Sequence, residues 1–250
     1  MIRPPMPEPR PVPEIPMSQR PQLRILSDAD AVAAEAALLI AREAREAIAS
    51  RGRFLLAVSG GRTPWVMLRA LARETLPWDR IHVFQVDERV APDGHADRNL
   101  THLKASLLPQ APLPERNIHP MPVTHPDLNA AASDYAAELE REAGRPPVLD
   151  LVHLGMGSDG HTASLIPGDA ALGVRDAEVA VCGVYQGRRR LTLTYPVIDR
   201  ARRILWVVTG AEKAPMLTRL LATDRTIPAG CVGQDRAVIL ADREAGGQGS

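Results

Sequence analysis

A series of short apolar runs constrains this chain more than any other feature. FLLAV (54–58), IHVFQVDER (81–89), VLDLVHL (148–154), RRILWVVTG (202–210) and RAVILAD (236–242) are mostly apolar and show no strict polar alternation. Strands of that kind need cover on both faces, and a mostly parallel sheet between two layers of helices supplies it. The intervening segments carry helix signals. In 28–50, Val32, Ala36, Leu39, Ile40 and Ala47 recur at helical spacing, Ser27 stands as an N-cap three residues before Asp30, and Gly52 offers a stop. Further helices are expected from near Pro64, over 99–108 and 127–142, and through AEKAPMLTRLLAT (211–223).

The expected class is therefore α/β, a mostly parallel, doubly wound (Rossmann-like) sheet in a single domain. EVAVCGVY (178–185) and RLTLTYPVI (190–198) add some antiparallel β structure, the second alternating Thr192 and Thr194 with Leu191, Leu193 and Tyr195. The domain is expected over 23–242, after a proline-rich flexible tail (1–22) and before a flexible C-terminus (243–250).

Charge and composition remove several classes of partner. Lysine plus arginine and aspartate plus glutamate number 30 each, and aromatics are 3% of the chain. Neither a basic field nor an aromatic platform for nucleic acid is present. No apolar stretch approaches the roughly 20 residues of a membrane span. The N-terminus lacks the apolar core of a secretory signal, so a cytoplasmic protein is expected. Two cysteines, Cys182 and Cys231, cannot build a disulfide framework or a cysteine metal cluster, and Cys182 is expected as a buried reduced thiol.

Open α/β sheets bind ligands at the carboxyl ends of their strands. SGGRTP, DER, GMGSDGH and TGAEK all fall there. In AVSGGRTP, Gly60 and Gly61 let the backbone turn its N–H groups toward an anion at a helix N-terminus. Ser59 and Thr63 add hydroxyls and Arg62 a positive charge. A tight turn with no ligand is the other reading of that stretch, and the ATP-binding P-loop is excluded by length and by the missing Gly-Lys. QVDERV ends a strand with Asp87, Glu88 and Arg89, which are either solvated or part of a site.

GMGSDGH (155–161) contains a formal GxGxxG. A dinucleotide site needs a long helix after the third glycine and an acid at the end of the next strand. Pro167 and Gly168 leave room for only a short helix, the next acids Asp176 and Glu178 precede the following strand, and Asp159 would repel a pyrophosphate. Acid–base chemistry by His161 beside Asp159 suits the loop better. Arg188 and Arg189 are expected in solvent, whereas Arg190 opens a strand and Lys213 follows a strand-end glycine, where each can reach a phosphate. HADRN (95–99) reads as a turn and helix cap. GxSxG and HExxH are absent and the histidines are scattered, so no metal site is expected.

Taken together, AVSGGRTP, FQVDERV with the later DRNLTHLKASLLP, LVHLGMGSDGHTASLIPG, RRRLTLTYPVIDRAR and VVTGAEKA resemble the 6-phosphogluconolactonases, within the wider group that includes glucosamine-6-phosphate deaminase. The likeness covers about 23–242. It implies hydrolysis of 6-phospho-D-glucono-1,5-lactone by a monomer with no metal or organic cofactor and a small sugar-phosphate lactone as its partner. It implies His161 as the base that activates water. Ser59, Gly60, Gly61, Arg62 and Thr63, with Arg190 and Lys213, would hold the phosphate, and Asp87 and Arg89 would lie beside the lactone. Asp159 or Asp87 would orient the imidazole. Departures from the family pattern are Ser158 for proline, Ile166 for phenylalanine and Arg62 for serine, and Arg62 either contacts phosphate or faces solvent.

Two rival functions share parts of this pattern. A glucosamine-6-phosphate deaminase would continue DGH with Ile-Ala-Phe-Asn and carry tyrosine after Asp-Glu, where this chain has Thr162-Ala163-Ser164 and Arg89. A non-catalytic sugar-phosphate sensor would need the phosphate loop but not the DGH loop.

Overall fold

The computed structural model describes residues 21–247. The expected N-terminal tail as far as residue 20, and residues 248–250, lie outside them. The chain runs β1 (Gln22–Leu26), α1 (Ala29–Arg51), β2 (Phe54–Val58), α2 (Arg62–Leu71), β3 (Ile81–Gln85), β4 (Asp87–Arg89) and α3 (Asn99–Leu107). It continues through β5 (Ile118–His119), α4 (Leu128–Ala143), β6 (Leu151–Leu154), β7 (Val179–Tyr185) and β8 (Arg188–Leu193). α5 (Tyr195–Arg200), β9 (Arg203–Val208), α6 (Ala214–Leu221) and β10 (Ala237–Asp242) complete it. Turns follow as far as Gly247, with Ala245 buried.

Seven strands form a parallel sheet in the order β1-β10-β9-β6-β2-β3-β5. Both faces are covered, which explains the unbroken apolar runs. Phe54, Leu56 and Val58 of β2 share one core with the alanine-rich face of α1 and with Met67, Leu68 and Leu71 of α2. Leu55 and Ala57 face the other core, beside Tyr135 and Leu139 of α4, Ile198 of α5 and Leu217 of α6. Three further strands, β4-β8-β7, form a small antiparallel sheet on that second side. The expected class holds, including the antiparallel addition.

Several local expectations change. α1 is capped by Asp28, whose carboxylate accepts from the Ala31 N–H at 2.8 Å, while Ser27 donates to that carboxylate. Gly52 closes the helix in the left-handed conformation (φ 79°), as its position suggests. IHVFQVDER is not one strand. It breaks at Val86, whose N–H donates to the Val58 carbonyl of the large sheet while its carbonyl accepts from Leu193 of the small one. One residue thus belongs to the hydrogen-bonding of both sheets, and the chain past it enters an antiparallel pairing that apolar periodicity does not reveal. The segment expected as one last helix opens with a 3-10 turn (Ala211–Lys213) before α6.

Candidate active site

The crossing at Val86 sets the first wall of a cleft. Within the small sheet, β4 pairs with β8 so that Asp87 lies opposite Thr192 and Arg89 opposite Arg190. Two like charges directly across a pair repel, unless something anionic lies between them. Asp87 is buried and accepts from Ser164 Oγ at 2.7 Å, with Arg190 Nη1 4.0 Å away. Burial first of all, opposed by Asp87, pulls the Arg190 guanidinium below the usual arginine range. Arg89 donates to the Asp97 carbonyl at 3.0 Å, and its buried Nε has no partner.

Glu88, between them, does other work. Its fully buried carboxylate accepts from the N–H groups of Arg89, Asn99 and Leu100 and from Gln85 Nε2, each at 2.8 Å, and pairs with Arg98 at 3.2 Å. It therefore supplies the anionic cap of α3 from a distant strand, with the dipole-favoured sign. The cap expected from HADRN comes from Glu88 instead, since Arg98 occupies the N-cap position with no side-chain cap bond. As a site residue, Glu88 gives way to Asn99, which that carboxylate anchors and which donates to the Asp87 carbonyl.

The second wall is the loop after β6. No dinucleotide helix follows Gly160. The chain instead turns back, with the Gly157 N–H donating to the His161 carbonyl at 2.8 Å and a bridge between Thr162 and Leu165. Asp159 Oδ1 lies 2.6 Å from His161 Nδ1. Of the two acids proposed to orient the imidazole, Asp159 is the one in contact. A carboxylate partner places the proton on Nδ1 and leaves Nε2 as the basic nitrogen. Burial pushes the Asp159 carboxyl up, but bonds from the His161 backbone and ring and from Tyr185 outweigh it and hold it below the usual range. Gly157 is required by contact: a Cβ there would lie 2.1 Å from His161 Nδ1.

The floor is the end of β2. The Ser59 N–H donates to Nδ1 of the fully buried His153 at 3.3 Å, and burial drives the His153 imidazole down to about 3, so it stays neutral. Gly60 passes so close to Asn99 that a Cβ would meet Asn99 Oδ1 at 2.0 Å. Gly61 is the N-cap of α2 and gives it no side-chain cap, which leaves the first-turn N–H groups suited to an anion.

A cleft of about 250 Å³ collects Ser59, Gly60, Asp87, Arg89, His161, Arg190 and Lys213, together with Asn99 and Gln186, which sequence reading missed. Gly61, Arg62 and Thr63 line a neighbouring cavity of about 630 Å³ instead, and the two share Gly60, Gly155, Met156 and Lys213. Asp159 stands behind His161. Thr63 Oγ1 is bonded to Thr209 Oγ1 at 2.8 Å, and Arg62 is exposed. Tyr185 was also missed. It ends an apolar run like any core residue, and only the register of the β7–β8 hairpin brings it to Asp159. Among the described residues, no group of three or more His, Cys, Asp or Glu is placed to hold a metal ion, and no helix is long and apolar enough to cross a membrane.

Fold and cleft define an α/β enzyme with a carboxylate-supported histidine facing a small cationic pocket. Residues 27–240 match the family described as glucosamine-6-phosphate isomerases/6-phosphogluconolactonase, and the chain belongs to that family. A 6-phosphogluconolactonase of Synechocystis sp. is 40% identical over 234 residues, covering 90% of this chain and 97% of that protein. A 6-phosphogluconolactonase of Rattus norvegicus is 34% identical over 221 residues, covering 84% and 86%. Among solved structures, a 6-phosphogluconolactonase of Thermotoga maritima superimposes with a TM-score of 0.80 at 27% identity, covering 89% of this chain and all of that one.

Proposed function

We infer that this protein hydrolyses 6-phospho-D-glucono-1,5-lactone to 6-phospho-D-gluconate, the second step of the oxidative pentose phosphate pathway. The observation that carries the chemistry is the 2.6 Å contact of His161 with Asp159 at the rim of a cleft lined by Arg89, Arg190 and Lys213. His161 Nε2 takes a proton from water as its oxygen attacks C1. Arg89 or nearby backbone N–H groups stabilise the oxyanion that forms there. The C1–O5 bond then breaks, and the imidazolium returns its proton to O5. Asp159 holds the ring and stabilises its charged form.

Lys213, shared by both cavities, and Arg190 hold the phosphate against the loop 59–63, where Ser59, Gly60, Gly61, Arg62 and Thr63 surround the open N-terminus of α2. Holding the phosphate away from C1 supplies the orientation that a single base needs. Asp87 lies beside the lactone, where it holds Ser164 and faces Arg190. The reading extends to a monomer, and two free cysteines suit a reducing cytoplasm.

The test generates the lactone in situ with glucose-6-phosphate dehydrogenase and follows its disappearance against the spontaneous rate. Wild type should accelerate the loss, and His161→Ala should lower kcat by about 10²–10⁴-fold while retaining product binding. Folded wild type that fails to accelerate the reaction, or that releases ammonia from glucosamine 6-phosphate, would sink this reading. Near-normal turnover by His161→Ala would remove only the base assignment.

A further inference from the structure

Tyr185 stands where the base and the phosphate-side cation meet. It closes β7, immediately before the two-residue turn Gln186–Gly187, whose φ values of 50° and 78° make the tight hairpin that aims it inward. Its hydroxyl donates to Asp159 Oδ2 at 3.1 Å, the oxygen that His161 does not use. Its ring meets the His161 ring edge-on, with centroids 5.3 Å apart at 66°. The Arg190 guanidinium carbon lies 5.1 Å from the centre of the same ring, and Arg190 Nη2 approaches the Tyr185 carbonyl at 3.5 Å.

We propose that Tyr185 is a positioning residue that ties the Asp159–His161 pair to Arg190, so that base and anion-binding cation keep one relative geometry. The proposal rests on His161 acting as the base. The hydroxyl and the ring have separable tasks. The hydroxyl takes up part of the Asp159 charge and fixes the carboxylate plane, and thereby the orientation of the imidazole. The ring face carries Arg190, whose side chain otherwise has, among the described residues, only Ser164 Oγ and Gln186 Oε1 as long contacts, both at 3.4 Å, and Asp87 at 4.0 Å. Burial and the bond to Asp159 both push the phenol above its ordinary range, so it remains a donor at every working pH.

Charged and titratable groups facing His161 come from every side: Asp159 on its own loop, Tyr185 on β7, Arg190 on β8, Asp87 and Arg89 on β4, and Lys213 before α6. Of these, Asp159 bonds to the imidazole and Tyr185 packs edge-on against it. Removing the hydroxyl concentrates charge on Asp159, which favours the imidazolium and delays its loss of a proton as pH rises.

The experiment compares wild type, Tyr185→Phe, Tyr185→Leu and His161→Ala, with kcat and KM for the lactone measured from pH 5 to 8. Tyr185→Phe should lower kcat about 5- to 10-fold with KM unchanged, and move the acid limb of the kcat/KM profile to higher pH. Tyr185→Leu should add a rise in KM of about 3- to 5-fold, because Arg190 loses its platform. An unchanged kcat and acid limb in Tyr185→Phe, while His161→Ala is inactive, would overturn the proposal and leave the base in place. Equal effects of Phe and Leu, or losses that follow a lowered Tm with the pH profile unmoved, would overturn it too. Full activity in His161→Ala would instead remove the reading on which it rests.

Discussion

The two walls of the cleft are held by opposite means. On the β4–α3 side, a carboxylate with no solvent contact gathers four N–H donors and a buried arginine around Glu88. On the loop side, the organising carboxylate is Asp159, 37% exposed at its side chain and shared by one histidine and one tyrosine. A dry network is electrostatically strong and costly to break, whereas a wet one is weaker and adjustable. On the mechanism proposed above, the wall that carries Asp87 and Arg190 is fixed in the core, and the wall that would handle the proton stays in reach of water.

Breaking the dry wall should give the largest loss. Glu88→Ala leaves four N–H donors without their acceptor and takes from Arg98 the buried one of its two carboxylate partners, Asp93 remaining at 2.9 Å, and we expect about 3–5 kcal/mol of lost stability in urea titration. A loss under about 1 kcal/mol would mean that water replaces the carboxylate, and that this wall is less dry than its burial implies.

The wet wall should fail in function before it fails in stability. In Gly157→Ala, the new Cβ displaces a side chain rather than backbone, because the atoms it meets belong to His161 and Asp159. The imidazole turns away, kcat should fall about 100-fold, and the protein should stay folded. A Tm that drops in step with activity would erase the contrast between the walls.

The smallest expected effect lies beneath both walls, at His153. Its imidazole titrates at 6.5 in the unfolded chain and at about 3 when folded. The unfolded state therefore binds the proton first, and stability that is whole above pH 6.5 is lost as pH falls toward 3. Between pH 7 and pH 5 the loss from this group is about 2 kcal/mol. His153→Gln should show an acid-side loss smaller by that amount when denaturant midpoints are compared at the two pH values. Identical losses would remove His153 from the account.

Much of this was legible beforehand, for identifiable reasons. Apolar runs without alternation imply a sheet covered on both sides, and FLLAV obeys that rule residue by residue across its two cores. Strand-end loops rich in glycine and charge mark the cleft, because short-range chemistry is written in adjacent residues. Direction is not written there. In the Asp87-Glu88-Arg89 triplet nothing local says that Glu88 turns inward to cap a helix eleven residues later, or that the strand changes sheets one residue earlier. The 59–63 stretch likewise reads as one anion loop, but the turn at Gly61 sends its two halves to different cavities. Tyr185 depends on a hairpin register, which is a property of two strands and not of the run that contains it.

The bonding of Val86 to two sheets has a kinetic meaning as well. β4 pairs with β8, joining residues 87 and 192 across nearly half the chain. Closing so long a loop costs entropy before any contact repays it. A chain that has formed its helices and parallel sheet, but not this pairing, has Arg89 and no Arg190 opposite it, and hence no cleft. Turnover in this protein therefore reports the finished topology, which helical content alone does not.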